Sequence, residues 1–302
     1  LELVLRKHKI LLLSDEGFSS RPDTGYKYSN FLAKSLKYFL REFDVKVLVY
    51  LRRQDSFYES WYTQRIQAGT TSSDFHQFWR DFSFQNINYL KVINAYADAF
   101  GESNLIVRPY MKDKLKDGNV IHDFLEIIGV SDIYSLNFDV PFANNSISVA
   151  ALKAMRAINE GKHKGRISES ERSRVRRLLQ STNSKREWEH HRYLKPSQRR
   201  EILEYFEEQN HEICTKWFGF DDNIWRFSNS SQQTPNPDND RDKLTIEDLA
   251  EVNMRILESV NKRVLEKVNP QHKKHLSEFV SPDTLEVNTL AELQMKLLQY
   301  FL

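Results

Sequence analysis

The chain holds a single cysteine, Cys214, among 302 residues. One cysteine excludes an intrachain disulfide and any cysteine-rich zinc site. Cys214 lies in an apolar helical stretch and reads as a small core side chain rather than a nucleophile. Such sparse cysteine use points to a reducing compartment, so the cytoplasm is the expected location. Long apolar runs are also lacking. Ile10 to Leu13 is far shorter than the ~18 residues that cross a bilayer, so no signal peptide and no transmembrane segment is read. Nor is there an excess of one charge. The 44 Lys and Arg against 42 Asp and Glu leave a net charge of +2, which selects no partner class. The histidines supply no ligand set either: His8, His76 and His122 lack metal-ligand spacing, and the adjacent His190 and His191 would project in different directions from a regular element. No metal is expected. What remains, 40% hydrophobic and 28% charged residues, is ordinary globular composition.

Periodicity organises the first half of the chain. Ile10 to Ser14, closed by Asp15, Glu16 and Gly17, reads as a buried strand and loop. Ser29 to Phe43 carries apolar residues at helical spacing. Val45 to Leu51 is a second buried strand and Asp55 to Gln67 a helix. Another helical region begins at Asp74 to Trp79 and continues through Tyr89 to Phe100, stopping at Gly101, a plausible C-cap. Leu105 to Val107 is a third strand, and Val120 to Ile128 a helix ending at Gly129. This alternation predicts a parallel sheet with helices on both faces, with ligands beyond the carboxyl ends of the strands. From Ser146 the chain turns helical: a first helix to about Asn159, then Ser168 to Leu179 and Pro196 to Phe218. The expected domains are an α/β domain over 1–220 with a helical second half, a linker over 221–243 rich in Ser, Gln, Asn, Pro and Asp, and a helical appendage over 244–302. The appendage fits an oligomerisation element or a protein-binding arm, and the sequence does not choose between them.

The segment that carries chemistry is Val45 to Tyr62. A buried strand delivers Arg52 to its carboxyl end, and Ser60 follows about two turns into the next helix. A forked guanidinium and a hydroxyl placed this way can converge on one phosphate. Arg53 and the helix N-terminus near Asp55 add favourable potential for an anion. Strand-Arg-x7-Ser-helix resembles the 3′-phosphate motif of sulfotransferases that use 3′-phosphoadenosine 5′-phosphosulfate (PAPS). The string Tyr50-Leu-Arg-Arg-Gln-Asp-Ser-Phe-x-x-Ser-x-Tyr62 is similar to the bacterial carbohydrate-sulfotransferase-like group. Other segments agree in order: Ser14-Asp-Glu16-Gly17, Phe100-Gly101, Asn104 to Tyr110, Asp123 to Gly129, Asn144 to Ser148, and the helix of Asn210. Together they cover about Ile10 to Gly219.

The resemblance implies a P-loop-type sulfotransferase fold that transfers a sulfuryl group from PAPS, without a metal, to a hydroxyl of a carbohydrate or glycolipid. Arg52 and Ser60 would hold the 3′-phosphate, Tyr110 would lie against the adenine, and Glu16 would be the general base. Each has a competing structural reading: an arginine pairing a carboxylate, a helix serine, a core tyrosine, a loop carboxylate. Between Lys162 and Arg200, thirteen Lys and Arg face four Glu. This is a solvated helical surface or a wall that attracts an anion. Within it, Lys164 and Arg166 of Gly161-Lys-His-Lys-Gly-Arg166 resemble the loop that covers the 3′-phosphate in some glycan sulfotransferases. Nucleic-acid binding ranks lower, because no recognised module accompanies the charge.

One departure stands out. The family places a Lys/Gly/Ser/Thr-rich 5′-phosphate loop after its first strand, and the chain has none there; Gly69-Thr70-Thr71 follows a helix. The chain opens on Leu1, and the loop with its strand is expected upstream. The alternative is an inert relative kept as a binding or scaffold protein. A nucleotide kinase of related architecture would need the same loop and leaves Arg52 and Ser60 unexplained.

Overall fold

The computed structural model describes residues 10–130, 148–165, 168–181, 193–227 and 251–252. They form an α/β structure, mostly helical, with a small parallel sheet of two strands. The all-apolar run Val47–Leu51 forms β1, and Leu105–Pro109 forms β2. The strands pair in register from Val47 opposite Leu105 to Leu51 opposite Pro109. Parallel pairing requires a long crossover. Here it runs through α2 (Gln54–Ala68), α3 (Phe75–Asp81) and α4 (Tyr89–Phe100), after α1 (Ser29–Phe39) has preceded β1. The remaining helices are α5 (Val120–Ile127), α6 (Val149–His163), α7 (Glu169–Ser181), α8 (Pro196–Tyr205) and α9 (Glu207–Glu212), and a π-turn follows at Ile213–Trp217.

The chain divides into two compact units. The first takes residues 1–57, 82–136 and 197–231, and the second 58–81, 137–196 and 232–302. In the first unit, α4 buries Tyr89, Val92, Ile93, Tyr96 and Phe100 on one face. Asn88 caps this helix by accepting from the Lys91 amide at 3.2 Å, one of the donors that a helix start leaves without a partner. Helix α1 packs against α4 through its small residues Ser29 and Ala33. The Ser29 hydroxyl donates to the carbonyls of Ser19 and Tyr26, both at 2.9 Å. Trp225 is fully buried, between Phe218 and Tyr89, and its Nε1 donates to the Met111 sulfur at 3.2 Å. Cys214 is buried too, which pushes its thiol pKa up.

The second unit has an aromatic core of Tyr58, Tyr62, Phe75, Phe78 and Tyr193, several of them edge to face. Edge-to-face packing sets the positive rim of one ring against the negative face of the next. The carboxylate of Glu59 accepts from the backbone amides of Tyr193 and Leu194 at 2.6 and 2.9 Å. Ser148 caps α6 through the Ala151 amide. Asn159, buried on α6, donates to the carbonyls of Ile66 and Thr71, both at 2.8 Å.

Three expectations are corrected. Ile10 to Ser14 is not a buried strand: it is exposed and outside any sheet. A strand is stable only when its backbone groups have a ladder partner, and among the described residues this segment has none. Pro196 to Phe218 is not one helix but α8, α9 and the π-turn, with a break at Phe206. The linker read over 221–243 is corrected at its start, where Trp225 is fully buried in the first unit; the rest of it from 228, and the appendage except for Glu251 and Val252, lie outside the described residues. Among the described residues, no helix is long and apolar enough to cross a membrane.

Candidate functional site

The carboxyl ends of β1 and β2 lie side by side, and this edge holds two of the residues singled out in the sequence. The Tyr110 amide donates to the Leu51 carbonyl at 2.7 Å, carrying the ladder one step past β2. Arg52 and Tyr110 therefore leave the sheet from adjacent strand ends. Arg52 is exposed, and among the described residues its guanidinium has no hydrogen-bond or ion-pair partner. The Tyr110 side chain is in the open, with the residue 46% exposed, so the competing reading as a core tyrosine is corrected.

The backbone beneath Arg52 is held from several sides. Tyr89, at the first turn of α4, donates its hydroxyl to the Arg52 carbonyl at 2.8 Å. Burial, with Tyr26 nearby, raises the Tyr89 phenol well above its ordinary pKa, so it stays a neutral donor. Gln54 and Asp55, two and three residues on, are tied to residues late in the unit's sequence. Gln54 and Asn210, both fully buried, exchange amide hydrogen bonds at 2.6 and 3.1 Å. Asp55, also fully buried, accepts two bonds from Arg53 at 2.7 and 3.0 Å and one from Arg199 at 2.8 Å. Burial alone would raise the Asp55 carboxyl, but the hydrogen bonds and charges of Arg53 and Arg199 outweigh it and hold the pKa below the usual range.

The two adjacent arginines thus separate in role. Arg53, expected to add attraction for an anion, is tied to Asp55, which it shares with Arg199, whereas the Arg52 guanidinium has no such partner among the described residues. The Gln54–Asn210 pair and the Arg199–Asp55 pair were missed in the sequence. Their one signal is a buried-type position occupied by a polar residue at the start of a helix.

Ser60 lies on α2, half-buried, with its carbonyl accepting from the Thr63 hydroxyl at 2.8 Å. It falls in the second unit, whereas Arg52 falls in the first. Their joint action on a phosphate therefore rests on chain spacing. Glu16 opens a short 3-10 turn, Glu16–Ser19, and is exposed. That turn is tied down where Phe18 accepts from the Tyr96 hydroxyl at 2.7 Å. Tyr96 is seven residues along α4 from Tyr89, about 10 Å of helix. Glu16 and Arg52 are thus anchored at different levels of α4.

Lys164 caps α6 in the second unit, exposed, with its ammonium 2.5 Å from Glu160. Arg166 lies outside the described residues. Gly69-Thr70-Thr71 closes the carboxyl end of α2: Gly69 has φ +74°, and Arg172 donates to the Gln67 carbonyl at 2.5 Å and to the Asn159 side chain at 2.8 Å. This segment is a helix cap. Asp123, a member of the resembling set, proves structural. It holds Arg108 at 2.5 and 3.2 Å, the Tyr50 hydroxyl at 2.8 Å and the Lys116 amide at 3.1 Å.

No protein-family model matches the chain, and no solved structure does. The chain is similar to an uncharacterized protein of Archaeoglobus fulgidus, 29% identical over 174 residues. The match takes in 58% of this chain and 46% of that protein, so it spans less than half the relative's length.

Proposed function

We propose that the carboxyl edge of β1 and β2 binds the 3′-phosphate end of PAPS in a P-loop-type sulfotransferase fold, and that the protein transfers a sulfuryl group to a hydroxyl of a carbohydrate or glycolipid. The observation that carries this reading is Arg52: an exposed guanidinium at a strand end, uncommitted among the described residues, on a backbone fixed by Tyr89 and by the two polar pairs that follow it. A charge held this way can meet a phosphate without first breaking an ion pair. Tyr110, exposed at the neighbouring strand end, offers a ring face to a purine.

In the reaction, the acceptor hydroxyl oxygen forms a bond to sulfur as its proton passes to Glu16. The bond from sulfur to the donor's phosphate oxygen breaks, releasing adenosine 3′,5′-bisphosphate. Because Glu16 and Arg52 are anchored at different levels of α4, the base acts at the sulfuryl end of the donor and the arginine at its 3′-phosphate.

The test is calorimetric titration of adenosine 3′,5′-bisphosphate into wild type and Arg52→Ala. Binding by wild type that weakens about 10-fold to 100-fold in the variant, in line with about 1.5–3 kcal/mol for a charge-assisted bond, supports the site. No binding to wild type removes the donor site, and equal binding removes Arg52 from it. Binding without sulfuryl transfer from PAPS marks an inert nucleotide-binding relative.

A further inference from the structure

Two of the three non-glycine residues with positive φ among the described residues flank one short segment of the first unit: Ser20 at φ +69° and Tyr26 at φ +55°. Ser20, with ψ −173°, occupies a region open essentially to glycine alone. Its side chain returns nothing to the fold. The residue is 8% exposed, and its hydroxyl is buried without a hydrogen-bond partner among the described residues. A buried hydroxyl left unpaired is unfavourable by itself, so two costs fall on one residue. Tyr26 is different. Its buried ring packs 6.5 Å from that of Tyr89, whose hydroxyl holds the Arg52 carbonyl.

Between these two positions, residues 21–25 are bonded closely to one another. The Arg21 carbonyl accepts from the Thr24 amide at 3.2 Å, the Thr24 hydroxyl at 2.9 Å and the Tyr26 amide at 3.1 Å. The Gly25 amide donates to the Pro22 carbonyl at 2.9 Å, and the Arg21 guanidinium grips Asp23 at 2.5 and 3.1 Å. Pro22 adds a fixed φ. The feet of the segment are pinned, because the Ser29 hydroxyl reaches the carbonyls of both Ser19 and Tyr26. Its middle rests on α4 through the Lys91 ammonium, 3.3 Å from the Gly25 carbonyl. The segment thus follows α4 from the level of Tyr96, which holds Phe18 of the Glu16 turn, to that of Tyr89. A stiff piece with pinned feet and a strained residue at each end has the geometry of a hinged strap.

We propose that residues 21–25 form a strap hinged at Ser20 and Tyr26, held closed in this structure, which opens by relaxing the Ser20 backbone and bringing its hydroxyl out of burial. Strain of this kind persists only while surrounding contacts enforce it, and the contacts of the closed strap with α4 are few enough to leave a second state within reach. A donor that extends from Arg52 to Glu16 passes along the strap, so its binding shifts the balance between the two states. That coupling rests on the proposed nucleotide site; the hinge does not.

The test is NMR relaxation dispersion at the backbone amides of residues 20–26, which reads the µs–ms scale of hinge motion, in the full chain as wild type, Ser20→Gly and Ser20→Ala. Wild type is expected to exchange with a minor open state. Glycine adopts the Ser20 conformation without strain, so Ser20→Gly should lower the open population about tenfold and melt above wild type. Ser20→Ala keeps the strain but removes the buried hydroxyl, and its open population should lie between the other two. Absence of exchange in wild type overturns the proposal, and so does an open population in Ser20→Gly equal to or above that of wild type. Adenosine 3′,5′-bisphosphate added to wild type reads the coupling, with a change of about tenfold in the open population expected. Nucleotide that binds without changing it overturns the coupling. Nucleotide that does not bind removes the donor site, and the hinge is then decided by Ser20→Gly.

Discussion

Asp55 sits without exposed surface between two guanidiniums, and its replacement by Asn takes the carboxylate charge away from both. Asp55→Asn keeps the shape of the side chain but removes its charge. The Arg199 side chain is 5% exposed and cannot regain water, whereas Arg53 is partly open to solvent and can. Removing one partner of a buried pair costs about 3–5 kcal/mol, because the other charge is left uncompensated. With one of the two arginines able to rehydrate, the lower end applies, about 3 kcal/mol. At ~2–4 °C per kcal/mol for a transition of this size, the melting midpoint drops by roughly 6–12 °C. The pH dependence has a fixed sign. The Asp55 pKa is lowered on folding from the ordinary 3.8, so its stabilisation is fully present above the unfolded value and is lost as pH falls through the folded one. The gap between wild type and variant should be flat from about pH 5 to 8 and narrow below about pH 4. Melts followed by circular dichroism across that range measure it. A variant melting within about 1 °C of wild type, or a gap unchanged on going to about pH 3, refutes the assignment of Asp55 as the charged partner of Arg199.

Asn210→Ala leaves the buried Gln54 amide with both groups unpaired and should cost about 1–3 kcal/mol. In urea unfolding, Gln54→Leu combined with Asn210→Leu should restore part of that loss. Gly69→Ala forces an L side chain to φ +74° and directs its Cβ into the Arg172 guanidinium, so thermal melts should show a loss above about 1 kcal/mol. Ser148→Ala removes the α6 cap, and Ser148→Asn should recover most of the ~1 kcal/mol lost, read from the same melts.

Local pattern carried much of the fold. The helical region read from Asp74 through Tyr89 to Phe100 stops where α4 stops, at Gly101, because its buried face is set by nearest helical neighbours, but the apolar spacing runs through the break that separates α3 from the Asn88 cap of α4. β1 and β2 were legible for the same reason, as short β-branched runs between breakers. Ile10 to Ser14 shows where the pattern misleads. An apolar run states that a segment would be stable under cover, not that cover is present. The arrangement under Arg52 was illegible for a different reason. Gln54 meets Asn210 across 156 residues and Asp55 meets Arg199 across 144, and no periodicity encodes a contact between two polar groups so far apart. The sequence therefore pointed to Arg52 but treated Arg53 as its equal, when the distant Arg199 and the adjacent Asp55 decide which of the two stays uncommitted.

Cys214 gives the protein a reporter of its own opening. It is the sole thiol in the chain, it lies in the core of the first unit, and burial disfavours its thiolate. A thiol reagent can modify it only in molecules that have exposed this core, so the labelling rate measures how often that happens. Nothing else in the chain competes for the reagent. The effect of each substitution near Arg52 can thus be followed in the otherwise native chain, by mass, without introducing a probe.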